Sequence, residues 1–568
     1  VASVESADQG MWERRFFGLL EGYRFLPGGR ILAGAGVDLE LTLFNCFVMG
    51  SVPDDMAGIF ESLKEGALTM QRGGGVGYDF SALRPAGLRG RRVGGIASGP
   101  VSFMRIWDSM CATVLSARAR RGAMMGTLRC DHPDIERFID AKREPGELRN
   151  FNLSVLVTDA FMEAVMSDAS WSLVFPVDRL GSADLDRFPA RVERSWSDSD
   201  GPLSCAVIRE VPARTLWSRL MRASYDTAEP GVLFIDRIQA EDNLGYRERI
   251  VATNPCGEIP LPPYGACDLG SLNLTAFVLD PFESSARFDL TALAAAAATA
   301  VRLLDDVIDL SRFPLPAQAR QARGSRRIGL GITGLADALI LLGQRYDGDA
   351  GREQAAEAMR TVCHAAYRTS VALAEEKGAF PFFDQAAYLD ARFVRRLPAS
   401  IGDGIRRHGI RNSHLIAVAP AGSISLLAGN VSSGIEPVFS STQKRRVRLP
   451  GGGEEVFETP DPALSLWRTA FGIEYPPPAF VDAYGVAPED HLAMQAAVQP
   501  YVDNAVSKTV NVPESLAFSD FERLYRRAFE LGLKGCTVFR PNTATGAVLC
   551  RGDADAELGS LLRCCGLD

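Results

Sequence analysis

Asn254, Cys256 and Glu258, in the run Asn-Pro-Cys-Gly-Glu, place an amide, a thiol and a carboxylate on alternate positions. Alternate side chains of an extended segment point to the same side, so the run presents all three groups to one small substrate. Together they offer a hydrogen-bonding amide, a redox-capable sulfur and a candidate acid–base group. Further thiols flank the run in sequence. Cys267 lies in Ala-Cys-Asp-Leu-Gly-Ser-Leu-Asn-Leu (266–274), and Cys46 lies far upstream in the apolar, strand-like Leu-Phe-Asn-Cys-Phe (43–47).

The elements that must position these groups follow from periodicity. Residues 1–30 carry Trp12, Phe16, Phe17, Leu20 and Tyr23 at helical spacing, broken by Phe-Leu-Pro-Gly-Gly-Arg. Residues 55–72 form an amphipathic pattern through Met56, Ile59, Phe60, Leu63, Ala67 and Met70. The glycine-rich run 72–78 then reads as a loop in which backbone can approach a ligand closely. It is not a phosphate-binding loop of the Lys-Ser/Thr type. Strand-like runs at 152–158 and 171–177 alternate with helical patterns at 214–228, 290–311 and 350–377, which predicts an α/β architecture. Residues 182–201 are polar and read as a surface excursion, and 414–428 as a buried strand, a turn and a helix start.

With 568 residues, 46% hydrophobic and 23% charged, the chain has the composition of a globular protein larger than one ordinary domain. A net charge of −9 argues against nucleic acid as a partner. No apolar run reaches membrane-spanning length, and the first residues carry no signal-peptide pattern, so a cytoplasmic location is expected. Eleven cysteines without zinc-ligand spacing fit a reducing compartment, with Cys111, Cys130, Cys205 and Cys363 as core residues and no metal site.

Asn-Pro-Cys-Gly-Glu-Ile-Pro-Leu (254–261) followed by Tyr-Gly-Ala-Cys-Asp-Leu-Gly-Ser (264–271) resembles the active-site signature of ribonucleotide reductases, most closely the class II, adenosylcobalamin-dependent branch. The resemblance extends to Phe-Leu-Pro-Gly-Gly-Arg-Ile-Leu (25–32), Ser-Gly-Pro-Val-Ser-Phe-Met (98–104), Asn-Val-Ser-Ser-Gly-Ile-Glu-Pro-Val-Phe (430–439) and Gln-Pro-Tyr (499–501). It implies a ten-stranded α/β barrel of two five-stranded halves over residues 31–545, with a central finger loop near 254–258. An N-terminal helical segment (1–30) would precede the barrel, and a C-terminal tail (546–568) would follow it. It also implies radical reduction of ribonucleotides, diphosphates rather than triphosphates. In that scheme Cys256 carries a thiyl radical that removes the ribose 3′-hydrogen, Glu258 is general base on the 3′-hydroxyl, and Asn254 holds substrate hydroxyls. Cys46 and Cys267 deliver two electrons and become a disulfide. Asn45, Ser98 and Gly99 would line the substrate site, with Pro420, Ala421, Gly422, Ser423, Ile424 and Ser425 cradling its phosphate at a helix start.

The same resemblance implies an effector, a deoxynucleoside triphosphate or ATP, bound at a homodimer interface near Asp54, Asp55 and the loop 83–94. Arg120 and Arg121 would lie in the segment linking effector to substrate. A thioredoxin-type reductant would act through a tail cysteine pair, Cys564 and Cys565, whose adjacency departs from the family's spaced form. The roughly 24 residues before the first motif are too few for the nucleotide-binding cone of some reductases, so no overall control by dATP is expected. Two other readings compete. A class I large subunit would need a partner subunit and a pair of adjacent tyrosines, which the sequence lacks. A non-catalytic nucleotide-binding regulator would not need the intact Asn254, Cys256 and Glu258 set.

Overall fold

A computed structural model describes residues 1–541 except 90–94, 117–119, 145, 197, 200, 449–453 and 474. Ten strands form one sheet: β1 (Phe25–Pro27), β2 (Cys46–Val48), β3 (Gly75–Asp79), β4 (Met124–Arg129), β5 (Phe151–Val157), β6 (Gly231–Phe234), β7 (Ala266–Asn273), β8 (Ile328–Thr333), β9 (Thr509–Asn511) and β10 (Gly535–Phe539). Strands β2 to β6 are five parallel neighbours. At either side of this half the direction reverses, β2 pairing antiparallel with β7 and β6 with β10. Beyond these seams β7 runs parallel with β8, and β10 with β9. Between β8 and β9 the regular ladders stop. Isolated bridges Leu330↔Ile416 and Val418↔Val506, with backbone hydrogen bonds such as Ala417 N to Leu330 O and Ser507 N to Val418 O, span that interval.

Every residue of β4, β7 and β8 is buried, as strands covered on both faces require. The cover comes from helices. Of these, α1 (Gln9–Leu20) and α2 (Met56–Gln71) lie early in the chain, and α3 (Leu290–Leu310) packs against α4 (Asp349–Lys377). Asp55 and Asp289 start α2 and α3 by accepting from Gly58 N and Ala292 N, the ordinary N-cap solution for orphan amides.

Three expectations change here. Residues 25–27 do not belong to a separate N-terminal segment, because β1 pairs with β7 inside the main sheet. The polar stretch 182–201 contributes a strand, Arg191–Ser195, to a three-stranded antiparallel sheet with Ser170–Pro176 and Pro202–Pro212. Trp196 anchors it: its ring is fully buried, with the Arg129 guanidinium 4.6 Å from the ring centroid. Of the glycine run 72–78, read as a loop, residues 75–78 lie in strand β3, and 72–74 form the turn that leads into it.

The glycines of β3 answer to the hairpin beside them. Residues Ala252–Thr253 and Pro260–Leu261 pair antiparallel, with the Asn-Pro-Cys-Gly-Glu run at their tip. A Cβ on Gly77 would collide with the carbonyl oxygen of Thr253, and one on Gly75 would meet Pro255 Cγ at 3.2 Å. Backbone does approach closely here, and what approaches is the protein's own finger. Gly77→Ala is therefore expected to lower stability by about 1–3 kcal/mol through overpacking and to reduce activity by more than its loss of folded fraction. Urea unfolding beside turnover per folded molecule checks this, and unchanged specific activity would refute it.

Candidate active site

The hairpin lies with Thr253 over Gly77 and Pro255 over Gly75, so its tip points toward the N-terminal end of β3. The tip is a turn, not the extended segment expected from alternation. Gly257 adopts φ 83°, and its N–H donates to Asn254 O at 3.1 Å. Asn254 N in turn donates to Ile259 O at 3.3 Å, with the Asn254 amide oxygen accepting from Ile259 N at 3.0 Å. This fold-back brings Asn254 and Glu258 side by side: Asn254 Nδ2 donates to Glu258 Oε1 at 2.9 Å. Both side chains are buried, while Cys256 stands exposed at the tip.

Two contacts that sequence reasoning missed fix the tip. Asn152 on β5 donates its amide N–H to Pro255 O at 2.8 Å, and Ala505 N donates to Glu258 O at 2.9 Å. Lower on the hairpin, Arg327 donates to Pro260 O at 3.2 Å while its guanidinium pairs with Glu248 and Asp242 in the interior. An Arg among buried carboxylates is a signal only once the fold is known; nothing local marks Asn152.

Cys46 and Cys267 are directly opposed across the β2–β7 seam. Val48 N donates to Gly265 O at 3.0 Å, which makes Val48 and Gly265 a hydrogen-bonded pair. Such pairs recur every second residue, so Cys46 and Cys267 form the next one, with Cα atoms about 5.5 Å apart. That spacing suits a disulfide, which spans roughly 4.4–6.8 Å. Asn254 Nδ2 also donates to Cys46 Sγ at 3.2 Å, and Glu258 Oε1 lies 3.9 Å from the same sulfur. The structure thus brings Cys46, Cys267, Asn254 and Glu258 into one buried cluster below the exposed Cys256.

Burial sets the protonation of this cluster. It pushes the Glu258 carboxyl up to about 7, opposed by the hydrogen bonds from Asn254, its own backbone N–H and Cys46. It likewise raises the Cys46 and Cys267 thiols well above the usual range, reinforced at Cys46 by the nearby Glu258 carboxyl and at Cys267 by Asp268. Glu258 Oε2 is buried with no hydrogen-bond partner among the described residues, and so is Asn45 Oδ1. Unsatisfied buried acceptors are costly, and Glu258 Oε2 is the one within this cluster that a donor could satisfy.

Other expected residues are dispersed. The segment 414–418 leads to a short helix, Gly422–Leu427, that packs near β1. Pro420 and Ser423 are exposed there, whereas Ser425 is buried and its hydroxyl donates back to Gly422 O at 3.0 Å. Ala421 N donates to Ser433 Oγ at 2.7 Å, and Ile424 is half-buried. Ser98 and Gly99 start helix Pro100–Thr113, beyond the C-terminal end of β3, whereas Asn45 adjoins its N-terminal end through Gly75 N. Gly99, at φ 84°, packs against Ala86 and Asp134, so its conformation serves the helix start and not the Cys256 cluster. Asp55 is an N-cap, and Asp54 pairs with Arg84 at 2.8 Å. The side chains of Arg120 and Arg121, part of the loop 83–94, and Cys564 and Cys565 lie outside the described residues.

A wide α/β sheet with antiparallel seams, a thiol-tipped hairpin against it and a cross-strand cysteine pair beneath that tip define a thiol-based redox scaffold. Residues 44–539 match the model of the ribonucleotide reductase barrel domain, and the chain belongs to that family. It is 39% identical over 560 residues to a vitamin B12-dependent ribonucleoside-diphosphate reductase of Mycobacterium tuberculosis, covering 95% of this chain and 73% of the relative. A protein of the same name from Thermoplasma acidophilum is 34% identical over 576 residues, covering 98% and 68%. The ribonucleoside-diphosphate reductase large subunit of vaccinia virus is 28% identical over 456 residues, covering 76% and 57%.

A carboxyl raised to about 7 is mostly protonated below that pH and ionised above it. If Glu258 acts as base, kcat/KM rises with pH through about 7 and levels above it. Glu258→Gln should lower activity about 10²–10⁴-fold and abolish that limb. A pH–rate profile that keeps its acidic limb in the variant would assign the limb to another group.

Proposed function

We infer that the chain reduces ribonucleoside diphosphates to 2′-deoxyribonucleotides in an adenosylcobalamin-dependent reaction. The observation that carries this reading is the exposed Cys256 thiol standing over the opposed, buried Cys46 and Cys267, in a chain of this family. A substrate at the tip meets three kinds of group at once. Asn254 is poised to hold its hydroxyls, and the unsatisfied Glu258 Oε2 is available to take the 3′-hydroxyl proton. Cys256 as a thiyl radical accepts the 3′-hydrogen and returns it at the end of the cycle. Loss of the 2′-hydroxyl as water consumes two electrons and two protons, which Cys46 and Cys267 supply as they become a disulfide. Their burial keeps them protonated until then.

The donor set fits the cofactor. Cys256, alone of the three site thiols, is exposed and so accessible to a bulky cofactor. When bound, adenosylcobalamin supplies the radical equivalent that the Cys256 thiol receives. A class I assignment is not favoured: the relatives that match at 34–39% identity are B12-dependent, whereas the viral large subunit matches at 28%, a level that other B12-dependent relatives share.

The proposal extends to Asn45 and the segment 420–425 as substrate contacts, with Ser423 the hydroxyl of that segment that faces outward. It includes a nucleoside triphosphate effector near Asp54 at a homodimer interface, and a thioredoxin-type reductant acting through the tail cysteines. No described helix is long and apolar enough to cross a membrane.

Turnover of a ribonucleoside diphosphate with dithiothreitol, with and without adenosylcobalamin, tests the whole reading. Product formed equally without the cofactor would overturn it. Cys256→Ser should fold and form no deoxynucleotide, since hydrogen abstraction from a hydroxyl is far harder than from a thiol. A single turnover without reductant should leave Cys46 and Cys267 joined, seen as one cross-linked peptide pair by mass spectrometry. Recovery of both as thiols after product has formed would remove them from the electron pathway.

A further inference from the structure

Away from Cys256 the structure contains a cavity of about 640 Å³ lined by Arg247, Arg320, Arg323, Tyr264 and Phe382. It lies at the base of the finger. The turn 262–265 joins the hairpin to β7, and Gly265 O accepts from Val48 N at the C-terminal end of β2, opposite the rim that Cys256 faces. Helix Pro316–Ser325 forms one wall, with Arg320 and Arg323 three positions apart on one face. Arg247 stands across from it, its guanidinium 3.8 Å from the centroid of the Phe382 ring.

The chain carries a net charge of −9 and ties many of its arginines to carboxylates. Arg247, Arg320 and Arg323 have no ion-pair partner among the described residues. The acids near them are otherwise engaged: Glu248 is held by Arg327 and Gln321, and Glu65 accepts the Tyr264 hydroxyl at 3.1 Å. The two aromatic walls are built in. Phe382 sits where a Cβ on Gly324 would be, and its backbone O accepts from Tyr246 Oη at 2.9 Å. Tyr264 adopts φ 60°, a strained conformation for a side chain of its size, and its ring closes over Gly50.

We propose that this cavity binds a nucleoside polyphosphate. Guanidinium groups suit phosphate oxygens through charge-assisted, forked hydrogen bonds. Aromatic rings suit the flat face of a base, and the volume falls within the usual range of about 300–1,000 Å³ for small-ligand sites. The site differs from the effector position near Asp54: the Tyr264 contact is at Glu65, ten residues beyond Asp55 along α2, or roughly 15 Å. It stands independently of the assigned reaction. Because its wall includes Tyr264, a bound nucleotide presses on the connection between the finger and the strand that carries Cys267.

Phenylglyoxal modification of the full chain, read by peptide mass spectrometry with ATP as probe, tests the site directly. ATP is expected to slow modification of Arg247, Arg320 and Arg323 severalfold while leaving Arg360 and Arg406, neither of which lines the cavity, unchanged. Inorganic triphosphate at the same concentration should protect more weakly, because it offers no ring to stack. Equilibrium dialysis should show Arg320→Ala/Arg323→Ala binding one fewer ATP per chain than the unmodified protein. Unchanged modification at the three arginines, equal protection by inorganic triphosphate, or full stoichiometry in the double variant would each overturn the nucleotide assignment.

Discussion

A peptide hairpin can occupy the interior of a sheet only where the wall gives up its side chains. In β3 the wall does so at Gly75 and Gly77, whose missing Cβ atoms are the space that Pro255 and Thr253 use. Everything else at the site depends on that clearance. It fixes the depth at which the hairpin rests, and the depth decides that Asn254 reaches Cys46 while Cys256 remains at the surface. Asn152 and Ala505, from opposite halves of the sheet, then lock the tip with one backbone-directed hydrogen bond each. The tip's precision thus derives from the strands and not from the loop itself, which would otherwise wander as loops do.

The second organising effect is the low polarity of the interior. Removing Glu258, Cys46 and Cys267 from water penalises their ionised forms, so a cluster of three acidic groups can sit together near neutral pH without mutual repulsion. The cluster thus holds neutral thiols beside a carboxyl poised near 7. Ionised, the same groups would repel one another and attack disulfides indiscriminately.

Much of this was legible in the sequence, for reasons that differ by residue. The α/β alternation was readable because long helices such as Leu290–Leu310 and Asp349–Lys377 keep a strong helical period. The Asn254, Cys256 and Glu258 set was readable because its chemistry is local. Alternation in an extended strand predicts the right grouping by the wrong geometry, since a turn at Gly257 brings the set together. The opposition of Cys46 and Cys267 could come only from resemblance, since register across distant strands leaves no local mark. The glycine run pointed to a close approach but not to its partner. Asp55 shows why such residues are ambiguous in a sequence: its carboxylate caps α2, and that use has the same composition as ligand binding. The polar stretch around Trp196 hid its strand because one buried indole, not a period, holds it.

The seam between β2 and β7 also governs when the protein becomes itself. Cys46 and Cys267 are separated by more than two hundred residues, and the amide that pins Glu258 comes from Ala505. Contacts at such separation form late, because loop-closure entropy must be met before they contribute. During synthesis β2 emerges long before its antiparallel neighbour exists, and until β7 arrives it presents an apolar edge with unpaired backbone groups, the usual template for misassociation. Cys46 belongs to that edge. A nascent chain of this kind therefore passes through an interval in which the edge that will carry Cys46 is its chief liability.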